Sequence, residues 1–290
     1  MDYEVTLRID HHYASPAIGG RHLVCLAPLP HEPGQTVRAA RVAISPPPSE
    51  RIDRLDFFGN QVTEFAFRGP YAHVTLTMTA QVSRHKPAQV MPGRALMAEL
   101  SGAIDLCRDV SPASPLHFLS PSTRVPRDPE ILNFARELDL PGPCVLDVVR
   151  GVGRALHDHM TFDASATTVD TPAAEAFAKR RGVCQDFSHI MIACLRGLGI
   201  PSGYVSGFLR TLPPKGKPRL EGADAMHAWV QAWCGTDGWV DYDPTNACFA
   251  GEDHIVVARG RDYSDVAPVK GSMRISGGQR SKQAVDVVPV

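Results

Sequence analysis

Cys184, His227 and Asp243 are the residues of this chain whose types and spacing could attack a carbonyl carbon. Cys184 opens a segment in which Phe187, Ile190, Met191, Cys194, Leu195 and Leu198 fall at offsets 0, 3, 4, 7, 8 and 11. That spacing is one face of an α-helix, and Gly199-Ile200-Pro201 supplies its stop signal. A cysteine at the N-terminal tip of a helix meets unpaired N–H groups and the positive end of the dipole, which favour thiolate over thiol. The backbone N–H of Cys184 is also a candidate donor to a developing oxyanion. Gly182 permits a close backbone approach just ahead of it. Cys194 belongs to the apolar stripe itself and reads as core.

His227 lies in the run Ala225–Cys234, whose alternation predicts a strand. Met226, Ala228, Val230, Ala232 and Cys234 form an apolar face that reads as packed core. Ala225, His227, Trp229, Gln231 and Trp233 form the other, a partly polar surface on which aromatic neighbours would shield an imidazole base from water. Asp243 closes the next run, Trp239–Asp243, and Pro244 ends the ladder there. Diagonal neighbours across a hairpin stand about 7 Å apart, so an aspartate at that end can reach the His227 strand. The Gly235–Gly238 turn leaves the register open, and Asp241, of the same parity, competes for the role. A nucleophile, a base and a group to hold the base's tautomer thus sit on three separate elements.

The elements around them divide the chain. Its 290 residues are too many for one typical core, so two domains are expected. Residues 1–85 read as β: Val5–Ile9 and His73–Thr79 alternate with period two, with His22–Leu26, Thr36–Ile44, Leu55–Phe58 and Val62–Phe67 between them. Gly59-Asn60-Gln61 marks a hairpin and Pro46-Pro47-Pro48 a connection. Prolines through 86–121 predict a linker with one short helix near Arg94–Cys107. Asp128-Pro129 and Thr171-Pro172 are helix starts, and a further helix is expected over Val145–His159. The fold class expected is α+β: an N-terminal antiparallel β-sandwich domain (1–85), a linker (86–121), a core of helices packed on an antiparallel sheet (122–268) and a tail (269–290).

Bulk composition narrows the function classes. Thirty basic residues balance 31 acidic ones, which leaves no electrostatic footprint for nucleic acid or an anionic membrane. No window approaches a spanning helix, and the first residues do not read as a signal peptide. Seven scattered cysteines without a Cys-x-x-Cys argue against a disulfide framework or structural zinc and for the reducing cytoplasm.

The run Gly182-Val183-Cys184-Gln185-Asp186-Phe187-Ser188-His189, continued by Leu195–Pro201 and Tyr204–Gly207, resembles the cysteine motif of the bacterial transglutaminase-like family, a branch of the papain-like thiol enzymes. His227-Ala228-Trp229-Val230 resembles its histidine motif. Trp239–Thr245 resembles its aspartate motif, in which the residue before Pro-Thr is catalytic; this favours Asp243 over Asp241. His254–Gly260 with Arg261–Val266 resembles the family's tail segment, and Asp56-Phe57-Phe58-Gly59-Asn60 its N-terminal β domain. The resemblance implies a papain-like core and a thiol enzyme that needs no cofactor. Phe162-Asp163 departs from the pattern of many relatives, which implies a different substrate groove. A second oxyanion donor is not identified; His157 and His159 are candidates, with surface or capping roles as the alternative. Gln185, Asp186, Trp229 and Asp241 stand as substrate-binding or supporting residues, Asp186 holding the helix start by a local hydrogen bond, and His189 points off the apolar stripe as a supporting group.

The chemistry expected is acyl transfer through a thioester on Cys184, on a protein or peptide substrate. An amine acceptor would make the enzyme a transglutaminase, and water a cysteine protease or amidase. Two rivals differ in class: a non-catalytic peptide-binding scaffold, and a metal site built from Cys184, His189 and His227, which lacks the close paired ligands usual for zinc. No acidic run resembles a calcium loop, so no calcium is expected. A homo-oligomer is compatible with the sequence.

Overall fold

The computed structural model describes residues 1–85, 94–211, 222 and 224–290. Strand β1 (Asp2–Val24) is one continuous element rather than two, although its buried face switches from odd positions (Tyr3, Val5, Leu7, Ile9, Tyr13, Ala17) to even ones (Gly20, His22, Val24) across a register shift between Ile18 and Arg21. β1 pairs antiparallel with β5 (Tyr71–Arg84) along its first half and with β4 (Gln61–Ala66) along its second. β2 (Gln35–Ser45) extends the sheet beyond β5, and β3 (Glu50–Leu55) beyond β4. The hairpin expected at Gly59 exists, but its first strand ends at Leu55 and not at Phe58. The Asp56 carboxylate accepts from the backbone and side-chain N–H groups of Asn60, closing an Asx-type turn over the intervening residues.

The segment 86–121 is more structured than a linker. Its residues 86–93 lie outside the described ones, but α1 (Met97–Asp105) and a 3-10 turn at Pro115–Phe118 follow. Next come α2 (Pro129–Glu137), capped by the Asp128 side chain, then α3 (Val145–His159), the two-residue strand β6 (Thr161–Phe162) and α4 (Ala173–Lys179). The short strand β7 (Arg181–Gly182) pairs parallel with β6 and leads directly into α5 (Cys184–Gly197). The core sheet is antiparallel throughout. It runs in the order β11 (Cys248–Phe249), β10 (Trp239–Asp243), β9 (Ala225–Trp233), β8 (Ser202–Leu209), β12 (His254–Gly260), with a short helix α6 (Tyr263–Val266) behind it. No helix among the described residues is long and apolar enough to cross a membrane.

Residues 269–290 do not trail away as a tail. β13 (Val269–Arg274) and β14 (Gln279–Pro289) return to the first domain and pair with β1, β14 in register from Tyr3 with Pro289 to Tyr13 with Gln279. The apolar pair Val285 and Val287, spaced by two, is buried in that sheet.

The two domains are joined along β12, the edge strand of the core sheet. Such an edge presents unpaired backbone groups and must be covered. Here the β domain covers it with side chains. The Gln35 amide donates to the Val256 carbonyl and accepts from the Val256 N–H at 2.8 and 2.9 Å. The Asn60 amide does the same for Arg259, at 2.8 Å both ways. The Arg259 guanidinium then binds Glu32 of the β domain and Asp241 of the core. Leu29 packs on Trp229, Val205 and Val256 to make a second, smaller core on this side of the sheet.

Candidate active site

Cys184 is the first residue of α5, and local chemistry fixes the tip it occupies. The Asp186 carboxylate turns back to accept from the Val183 N–H at 2.8 Å and from the Thr167 hydroxyl at 2.6 Å. A side chain at Gly182 would be impossible: a Cβ there would lie 2.5 Å from the Asp186 carboxylate. Gly182 is thus required by the helix cap. Asp186, mostly cut off from water, has its pKa raised by burial against the opposing effect of these two bonds. Gln185 donates to the Val169 carbonyl at 3.0 Å, tying the 163–172 loop to the helix start.

His227 lies opposite Gly207 in the antiparallel ladder of β8 with β9. Its Nε2 is 2.7 Å from Oδ2 of Asp243, which leaves Nδ1 for the thiol side. Burial opposes a charge on this imidazole, but hydrogen bonds to Asp243 and to Cys184 outweigh it, and the pKa is pushed up to about 10. The imidazolium is the stable form at neutral pH. His227 and Asp243 are thus hydrogen-bonded to one another, with Cys184 close enough to act on the same imidazole.

Asp243 is fully buried. Its burial, taken alone, would favour the neutral acid. Five donors overcome that: Oδ2 accepts from His227, from Nε2 of His254 at 3.2 Å and from the Asn246 amide at 2.7 Å, while Oδ1 accepts from the Thr245 and Asn246 N–H groups. The carboxyl is held below the usual carboxylate range. Sequence reasoning passed over His254 and Asn246. Asn246 carried a local signal, since an Asp-Pro-Thr-Asn turn lets donors three residues on reach back to the carboxylate. His254 is brought in only by the β12 ladder.

The other expected residues resolve differently. The Trp229 face of β9 is not a partly polar surface. The β domain covers it, and Trp229 is fully buried with its indole N–H donated to Asp241 at 2.9 Å. Asp241 is bound by Arg259 through both of its oxygens, so it serves the domain junction and not the histidine. His189 is buried behind the helix, accepting from the Tyr263 N–H, and burial pushes its pKa down to about 4. His157 bonds the Thr245 carbonyl and His159 stacks on Phe177, so neither attends the cysteine. Phe162 pairs through its backbone with Gly182, which lies two residues ahead of the cysteine, and its side chain is 57% exposed.

The metal grouping of Cys184, His189 and His227 does not assemble, because the Nε2 of His189 is committed to Tyr263. Among the described residues the donor atoms of His227, Asp243 and His254 do lie within 4.8 Å of one another. Their lone pairs are occupied by the hydrogen bonds above, so a metal there would have to displace both imidazole protons from the Asp243 oxygen.

Comparisons with known proteins place the fold and the family. The model of the transglutaminase-like superfamily matches residues 133–244, and that of the bacterial transglutaminase-like N-terminal region matches residues 3–83. An uncharacterized protein of Mycobacterium tuberculosis is 34% identical over 99% of this chain and 92% of its own length. The chain belongs to the transglutaminase-like superfamily. An uncharacterized Mycobacterium leprae protein is 33% identical over 89% of this chain and 88% of its own. A shorter match, 33% identical over 31% of this chain and 15% of the other, is to a protein-glutamine gamma-glutamyltransferase of Pseudomonas aeruginosa. The crystal structure of a Cytophaga hutchinsonii protein, proposed to be a cysteine protease, superposes with a TM-score of 0.77 at 21% identity, covering 99% of this chain and 90% of that one. The shared fold is a papain-like, transglutaminase-like core behind an antiparallel β domain.

Proposed function

We propose that the protein is a thiol acyltransferase acting on carboxamide groups of proteins or peptides, with Cys184 as nucleophile, His227 as acid and base, and Asp243 as its orienter. The observation that carries this reading is the His227 imidazole, bonded through Nε2 to a buried carboxylate and acted on from its other side by Cys184 at the tip of α5. The Cys184 sulfur attacks the carbonyl carbon and forms a tetrahedral adduct. Its oxyanion is met by the N–H of Cys184, which has no acceptor within the helix. The His227 imidazolium gives its proton to the departing amine as the C–N bond breaks, leaving a thioester. His227, now neutral, takes a proton from the incoming nucleophile, and that nucleophile expels the thiolate. Asp243 holds the imidazole with Nε2 inward throughout, so the catalytic proton is carried on Nδ1.

Transfer to an amine is favoured over hydrolysis by the match to the Pseudomonas glutamyltransferase. The test is incubation with a glutamine-containing peptide and a labelled primary amine, with Cys184→Ala as control. Label incorporation dependent on Cys184 supports transfer. Free acid without label makes the enzyme a hydrolase, and neither product with a panel of glutamine and asparagine peptides removes the acyl-transfer reading.

A further inference from the structure

The Asp243 carboxylate serves two imidazoles, and the second has no part in the sequence of steps above. His254 opens β12, and its ring is fixed on both sides. Nδ1 accepts from the Gly251 N–H at 3.1 Å, and a backbone N–H can only donate. The ring proton must then sit on Nε2, which faces Oδ2 of Asp243 at 3.2 Å. The Trp229 ring stands edge-on to it at 5.2 Å between centroids, and the strand carrying it is clamped from outside by Gln35 and Asn60. Both imidazoles donate to the same oxygen, and the Asn246 amide is a third donor there.

This sharing has a chemical consequence. Each donor draws charge from the carboxylate oxygen, so each weakens the attraction left for the others. An oxygen that served His227 alone would hold the imidazolium more tightly, and the proton that must leave for the departing amine would be harder to release. We propose that His254 is a positioning residue for the reaction, donating to the oxygen that accepts from His227 and so limiting how firmly Asp243 retains the catalytic imidazolium. The inference rests on the acyl-transfer reading and names a residue that reading does not use. The groups facing this pair from the surrounding elements are Cys184 on α5, Cys248 on β11 and Tyr242 on β10. Of these, only Cys184 changes charge together with His227 at neutral pH in the proposed cycle.

The experiment uses the full chain with 15N-labelled histidine. Imidazole NMR of the native protein should find His254 with its proton on Nε2; a proton on Nδ1 overturns the proposal without any mutation. His254→Phe keeps a ring against Trp229 but removes the donor, whereas His254→Gln keeps an N–H donor at the Nε2 position. In His254→Phe the affinity of His227 for its proton should rise roughly three- to tenfold, with kcat reduced and KM little changed. His254→Gln should restore both toward the native values. A His227 midpoint unchanged or lowered in folded His254→Phe would assign His254 a structural role only, and so would equal losses in the Phe and Gln variants. Failure of the underlying reading looks different: Cys184 alkylation by iodoacetamide would then be indifferent to His227→Ala in the native background.

Discussion

Selective alkylation of the seven cysteines tests whether the site is built to make a thiolate. Burial pushes the thiols of Cys25, Cys194 and Cys234 up to about 12. At pH 7 each is therefore ionised to a fraction on the order of 10⁻⁵, a penalty of about 7 kcal/mol relative to a fully formed thiolate. Cys184 stands at a helix tip beside the His227 imidazole, whose own pKa interactions with Asp243 and Cys184 push up to about 10. A less basic thiolate is intrinsically the poorer nucleophile, with a Brønsted slope near ~0.45, so part of any gain in thiolate fraction is returned to the buried cysteines. Cys184 should still react at least about tenfold faster than these three, before the added barrier that full burial sets for Cys194 and Cys234. The assay is substoichiometric iodoacetamide at pH 7 on the native protein, followed by peptide mapping and rate constants for each cysteine. His227→Ala should collapse the preference. Rates for Cys184 within tenfold of Cys194 or Cys234, or a preference that survives loss of His227, would refute the thiolate–imidazolium argument.

Asp243→Asn should reduce kcat by several orders of magnitude by presenting the wrong hydrogen-bonding partner to His227, while Asp241→Asn leaves kcat within about tenfold and lowers stability; steady-state kinetics on any substrate found will separate them. Arg259→Met leaves Glu32 and Asp241 unpaired at the domain junction and should cost about 3–5 kcal/mol in urea unfolding, falling to little if both carboxylates are replaced by their amides as well. His22 and His189 are buried neutral, with pKa values pushed down by burial to about 4. Between the ordinary histidine value of 6.5 and that figure the unfolded chain binds protons that the folded one refuses, so stability should be full above pH 6.5 and fall as pH drops toward 4. The loss is up to ~3 kcal/mol for each histidine, and His22→Phe should remove part of it in a pH series of melting curves.

The sequence carried the catalytic-core elements well because their signals are local. The helix stripe of 187–198, its glycine–proline stop and the strand runs around His227 and Asp243 all lie within single elements, and the cap at Asp186 is three residues from its partner. What it could not carry depends on pairing between distant segments. The identity of the strand beside β8 decides that His254 meets Asp243, and no spacing within either segment encodes it. The covered face of Trp229 was misread for the same reason, since its lid, Leu29, belongs to the other domain. Asp241 and Asp243 share strand parity; the motif favours Asp243 by resemblance, and the physical reason, Arg259 of β12 binding Asp241 while His227 binds Asp243, lies in segments distant in sequence. The last two strands were missed because charged residues fill their outward positions, Arg280, Lys282 and Asp286 among them, and leave few apolar ones. The motif Asp56–Asn60 was legible as a resemblance; its work as a clamp on the core sheet needed coordinates.

The return of β14 to β1 also bears on how the molecule is made. During synthesis the first sheet emerges with the long flank of β1 bare from Tyr3 to Tyr13, and the residues that will cover it follow only after the whole of the core has been made. The papain-like core is therefore made while its neighbour still shows an open hydrogen-bonding edge, an invitation to pair with another nascent chain. Lys282 and its charged neighbours, so poor as strand signals, are well suited to keep the closing strand soluble until it docks.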